Sequence, residues 1–144
     1  MSNLSERLSE LMFDEGLNMT QLGNILGCGE AAVSRYCAGA ALPTYEFLIK
    51  IADYFKVTCD FVLGLEDESK AKNFAAPPPF DKQFKKVCEE YKISRYKLRK
   101  KTGIAESVMR YWAQGKTKPS VPNLMLLAEK GFACTVDFLV GREL

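Results

Sequence analysis

The sequence predicts an all-α protein built from two tandem five-helix domains joined by a proline-rich linker. Three observations lead there. The chain repeats itself: displaced by 76 residues, Leu8 falls on Phe84, Leu22 on Leu98, Gly27 on Gly103, Gly39 on Gly115, Pro43 on Pro119 and Ala52 on Ala128. Within each copy, apolar residues recur at helical spacing and capping residues stand where each apolar stripe begins. Between the copies, Pro77, Pro78 and Pro79 cannot donate backbone hydrogen bonds and favour extended chain.

The elements follow in order. Leu4, Leu8, Leu11 and Met12 share one face of a first helix, as do Phe80, Phe84, Val87, Cys88 and Tyr91 in the second copy. Asn18, followed three residues later by Gln21, signals the start of a second helix; Ser94 does the same before Lys97, without an acceptor at the third position. Gly27 and Gly103 end those helices with the left-handed conformation that turns the chain. A third helix is expected over roughly 30–38 and 106–114. Thr44 and Ser120 cap a fourth, and Thr58 and Thr135 a fifth. One residue is inserted in the second copy near Lys130, after which the offset becomes 77, pairing Phe55 with Phe132 and Asp60 with Asp137. The domains expected are 2–66 and 80–144, with a linker over 67–79.

Composition narrows the function. With 47% hydrophobic and 26% charged residues the chain belongs among packed globular proteins rather than disordered ones. No apolar run approaches the roughly twenty residues that span a bilayer, and the N-terminus has no basic region leading into an apolar stretch, so a cytoplasmic protein without membrane contact is expected. The five cysteines are odd in number, lack zinc-site spacing and have no histidine in the chain to join them. Cys28, Cys88 and Cys134 fall at apolar positions of the repeat and are expected as small buried hydrophobes. No metal, cofactor or small-molecule ligand is indicated, and no catalytic constellation, so an enzyme is not expected.

A helix of about nine residues, a tight glycine turn and a second helix carrying small or polar side chains fit the DNA major groove. The stretch from Met19 to Tyr36 resembles the phage repressor and Cro family, also called the XRE-type family, and its counterpart from Arg95 to Trp112 does too. The likeness extends to Gly39 with Pro43, Gly115 with Pro119, and the closing segments Asp60 to Gly64 and Asp137 to Gly141. It implies lambda-repressor-like helix-turn-helix domains, a DNA-binding transcription regulator acting as a repressor, double-stranded DNA as partner, and pairing of chains to read two half-sites. Base contacts would come from the third helix: Glu106, Ser107, Arg110 and Tyr111 in the second copy, or Glu30, Ala31, Ser34 and Arg35 in the first. Arginine suits guanine and glutamate the cytosine amino group. Phosphate contacts would come from Arg95, Lys97, Gln114, Lys116 and Lys118.

Charge favours the second copy. Residues 2–66 hold four basic against nine acidic side chains, net −5, whereas residues 80–144 hold fourteen against seven, net +7. Phosphates dominate affinity for DNA, so the two copies should behave oppositely towards it. One departure from the family pattern stands in copy two: Arg99 occupies the place of the small Gly23, which predicts an outward-turned arginine and an altered helix crossing. Tyr36 and Trp112 are expected in the cores. Tyr45, Phe47, Tyr54 and Phe61 either form a self-association surface, making the first domain the route to a homodimer, or fill that domain's own core. The alternative function is a protein-interaction adaptor using helix-turn-helix folds as docking modules.

Overall fold

A computed structural model describes residues 3–144, so the expected domain start at residue 2 lies outside the described residues. The described residues form helices and turns, without a strand. They divide into two compact units, Met1–Asn73 and Phe74–Leu144.

The first unit contains α1 (Leu4–Asp14), α2 (Met19–Leu26), α3 (Glu30–Ala38), α4 (Tyr45–Phe55) and α5 (Cys59–Val62). Side-chain caps start four of them. Asn3 accepts from the Glu6 amide at 3.0 Å, Thr44 from Phe47 at 3.3 Å and Thr58 from Phe61 at 3.0 Å. At α2 the cap is reciprocal, because the Asn18 amide donates back to the Gln21 side chain at 2.9 Å. Leu8, Leu22, Val33, Leu48, Ile51 and Val62 are wholly buried and form the core, with Tyr36 beside them as expected.

The second unit contains α6 (Phe80–Tyr91), α7 (Arg95–Thr102), α8 (Glu106–Ala113), α9 (Val121–Leu126) and α10 (Val136–Val140). Ser94, Ser120 and Thr135 cap α7, α9 and α10. Trp112 anchors the core, meeting Phe80 and Phe84 edge-on at centroid distances of 6.1 and 5.6 Å. The residue inserted near Lys130 is absorbed without disturbing the repeat. After Leu126 the helix widens into a π turn over Leu127–Gly131, and the Phe132 amide donates to Leu127 at 2.8 Å, five residues back. The left-handed residue after the helix is therefore kept, Lys56 at φ 56° in one copy and Ala133 at φ 55° in the other.

A shared latch ties the first helix of each unit to its last. Arg7 donates from Nη1 to the Phe61 carbonyl at 2.7 Å, and Gln83, its repeat partner, donates from Nε2 to the Phe138 carbonyl at 2.9 Å. The Arg7 guanidinium also lies 3.8 Å from the centre of the Phe61 ring.

The turn between the two helices differs between the units. A Cβ placed on Gly23 would sit 2.4 Å from the Gly29 carbonyl carbon, so only glycine lets α2 approach the start of α3 this closely. The amides of Gly27, Cys28 and Gly29 all converge on the Gly23 carbonyl at 2.9 to 3.2 Å. In the second unit Arg99 is exposed at the matching place, and only Gly103 makes the corresponding bond, to Arg99 at 2.8 Å. The Ile104 amide turns instead to the Thr102 hydroxyl at 3.2 Å. Before α8 stands Ala105 at φ −62°, where Gly29 has φ 85°. The turn has changed to fit a long side chain, as the outward arginine requires.

One expectation needs correction, and one choice between alternatives is settled in part. Cys28, Cys88 and Cys134 are only half-buried, because the first and last lie in turns and Cys88 lines an open cavity; the wholly buried cysteine is Cys59. Of the aromatic residues considered for self-association, Tyr45 is buried in its own core and Phe61 is half-covered beneath Arg7. Phe47 is half-buried, leaving Tyr54, 40% accessible, as the exposed member.

Candidate nucleic-acid interface

In the second unit, α7 and α8 carry the surface that the sequence singled out. The cap from Ser94 fixes the start of α7, so Arg95 and Lys97 project from its first turn. Four positions then separate Glu106 from Arg110, and Ser107 from Tyr111, which places each pair on one stripe of α8. Met109 and Trp112, buried on the opposite side, hold that stripe outward. Ser107, Arg110 and Tyr111 are exposed and Glu106 is half-exposed. Gln114 caps the C-terminus of α8, and Lys116 and Lys118 lie exposed on the loop beyond.

The structure brings some of these residues together. Glu106 stands between two guanidinium groups, with Oε1 3.6 Å from Arg95 Nε and Oε2 3.6 Å from Arg110 Nη1. These pairs are solvated, each worth at most about 1 kcal/mol, so they orient the side chains without locking them. The Tyr111 ring lies between two cations, Arg110 at 5.9 Å and Lys116 at 5.5 Å from its centre. The surface thus links Arg95, Glu106, Arg110, Tyr111 and Lys116. Among the described residues, the side chains of Lys97, Gln114 and Ser107 stand apart from this group.

Sequence reasoning passed over Tyr96, Lys100 and Lys101. Tyr96 is 62% exposed, with the Lys100 ammonium 5.3 Å from its ring centre, and Lys101 is exposed as well. The signal was available: an eight-residue helix containing five cations offers one apolar anchor, Leu98, and the remainder must face water.

In the first unit, Glu30, Ala31, Ser34 and Arg35 are all exposed on α3. Among the described residues Glu30 pairs with no arginine; it accepts from the Thr20 hydroxyl at 3.0 Å. Where the second unit has Lys116 and Lys118, the first has Ala40 and Leu42, the latter half-exposed. Similar frames therefore present opposite chemistry.

Residues 14–62 match a family model described as helix-turn-helix. The first unit contains a helix-turn-helix domain. The second repeats its pattern of helices, consistent with a tandem arrangement. The chain is similar to the HTH-type transcriptional regulator AnsR of Bacillus subtilis, 31% identical over 65 residues, a stretch covering 45% of this chain and 56% of that protein. The chain thus spans about half the length of this curated relative. No solved structure gives a significant match. Among the described residues no cluster of histidine, cysteine, aspartate or glutamate could hold a metal ion, and no helix is long and apolar enough to cross a membrane. The surface presents cations, a single carboxylate and aromatic rings on two short helices.

Proposed function

We propose that this chain is a sequence-specific DNA-binding regulator of the phage repressor type, acting as a repressor and reading the major groove chiefly with α8. The observation that carries the reading is the exposed, cationic face of α7, α8 and the following loop within a unit of net charge +7. Arg95, Lys97, Gln114, Lys116 and Lys118 engage phosphate oxygens and set the register. Arg110 then donates to a guanine edge, while Ser107 and Tyr111 contact neighbouring bases. Glu106 accepts from a cytosine amino group with its remaining lone pairs, its arginine partners holding it in place. The first unit contributes through the exposed α3 residues Glu30, Ala31, Ser34 and Arg35, or through pairing of two chains.

Selection of bound duplexes from a random pool by the full chain tests this. A single enriched motif is expected. Arg110→Ala should change that motif, whereas Lys116→Ala should weaken all duplexes alike and reduce the log-log salt slope by about 0.9. Equal recovery of every sequence would refute sequence-specific reading.

A second reading, a protein-interaction adaptor, is favoured by one observation: the family match falls on the unit of net charge −5. Under it, no duplex binds with a steep dependence on salt.

A further inference from the structure

The repeat also supplies an internal comparison that exposes a cavity. In the first unit, the place between the end of α1, the start of α2 and the end of α3 is filled by sulfur. Met12 is buried, and its Sδ lies 3.7 Å from the Cys37 thiol. The corresponding residues of the second unit are Cys88 and Ala113, both much shorter, and Met19 has become Arg95. A cavity of about 290 Å³ opens there, floored by Phe84, Cys88, Ile93 and Ala113. Its rim carries Lys85, Glu89, Ser94 and Arg95, and so is net positive by one charge. Burial pushes the Cys88 thiol up to about 11, so the floor stays uncharged.

We propose that this cavity is a binding site for a small monocarboxylic acid with an apolar body. The body lies over Phe84, Cys88, Ile93 and Ala113, in a cavity whose volume of about 290 Å³ is just below the usual range of small-ligand sites. The carboxylate meets Arg95, whose fork of donors suits a carboxylate, with Lys85 adding charge at the rim. Glu89 repels a second negative charge and selects the monoanion over a dianion. Such a site is hidden from composition and motif reading, because the shorter side chains at 88 and 113 that help to open it carry no motif.

The site also has a route to α8. Arg95 shares Glu106 with Arg110, so a ligand that engages Arg95 leaves Glu106 to Arg110 alone and changes how Arg110 is held. This coupling rests on the DNA-reading role given to Arg110 above; the cavity itself does not.

The test titrates the uniformly ¹⁵N-labelled full chain with benzoate and, separately, with the uncharged isostere benzamide, following amide shifts. Saturable shifts centred on Phe84, Cys88, Ile93 and Ala113, and reaching Glu106 and Arg110, are expected with benzoate. Benzamide should bind about tenfold more weakly, the fold-change of a lost charge-assisted contact. The double variant Cys88→Met with Ala113→Met refills the space as in the first unit, and should abolish benzoate binding while leaving duplex binding unchanged. Arg95→Gln should remove the preference for the acid while the apolar contact persists, which keeps the test decisive if the refilled variant fails to fold. No saturable shift with either probe overturns the site, and so does equal binding of benzoate and benzamide by the native chain. None of these spectra contains DNA, so a failure of the cavity and a failure of the DNA reading are distinguishable. In selection of duplexes by the native chain, benzoate should shift the enriched motif as Arg110→Ala does; a loss of affinity for all duplexes alike, the effect of withdrawing Arg95 from phosphate, overturns the coupling to α8.

Discussion

Replacing Gly23 with alanine should destabilise the first unit, while Arg99→Ala at the matching place in the second should not. The new Cβ at residue 23 would lie 2.4 Å from the Gly29 carbonyl carbon, 2.6 Å from its oxygen and 2.7 Å from the Glu30 nitrogen. All three are backbone atoms, so no side chain can swing aside and α2 and α3 must move apart. Overpacking of this kind costs roughly 1–3 kcal/mol. Backbone atoms on both sides of the clash argue for the upper part of that range. Alanine recovers about 1 kcal/mol through its better helix propensity. A net loss of about 1–2 kcal/mol remains. For a unit of this size the urea sensitivity is about 1 kcal/mol per M, so the midpoint should fall by about 1–2 M. Arg99 is exposed and leaves behind another good helix former, so Arg99→Ala should stay within about 0.5 kcal/mol. Urea unfolding followed by far-ultraviolet circular dichroism measures both changes. Trp112, the chain's single tryptophan, reports the second unit separately by fluorescence. An unchanged dichroism midpoint for Gly23→Ala would refute the close-approach argument.

Further outcomes follow from the core and the cavity. Trp112→Ala removes a wholly packed ring held edge-on by Phe80 and Phe84, and should cost the second unit about 3–5 kcal/mol, read as loss of its cooperative unfolding transition on mild heating. Cys88 holds its proton up to about 11, against an ordinary value of 9.0. The unfolded chain therefore releases that proton first, so the contribution of Cys88 to stability is complete below about pH 9 and is lost as pH rises through the window from 9 to 11. Unfolding at stepped alkaline pH should show a decline that Cys88→Ala shallows; identical profiles would contradict it.

How much of this was legible in the sequence depended on the kind of signal. Helix starts were readable because a cap is local chemistry: Asn18, Thr44, Thr58, Ser94, Ser120 and Thr135 each accept the bond their side chains suggest. The insertion near Lys130 was visible as a change of offset. Its resolution into a π turn was not, since that depends on keeping Phe132 buried at 6% accessibility and the left-handed residue after it in register. Side-chain position across the fold was less legible. Arg7 and Gln83 share no chemistry class, yet both reach the last helix, a role set by geometry that residue type does not announce. Spacing left Tyr45 open between a surface and a core place, and its burial at 6% accessibility decides for the core. At the interface, the residue types and their exposure could be anticipated from spacing. The sharing of Glu106 by Arg95 and Arg110 could not, because it joins two helices whose connecting turn departs from that of the first unit.

The division of charge between the units is tested most directly by measuring duplex binding of fragments 1–73 and 74–144 over a range of salt concentrations. The account predicts that the second fragment binds, with affinity falling at a log-log slope of about −0.9 for each phosphate neutralised, and that the first does not bind measurably. Equal affinity of the two fragments, or binding by the second that is indifferent to salt, would contradict it.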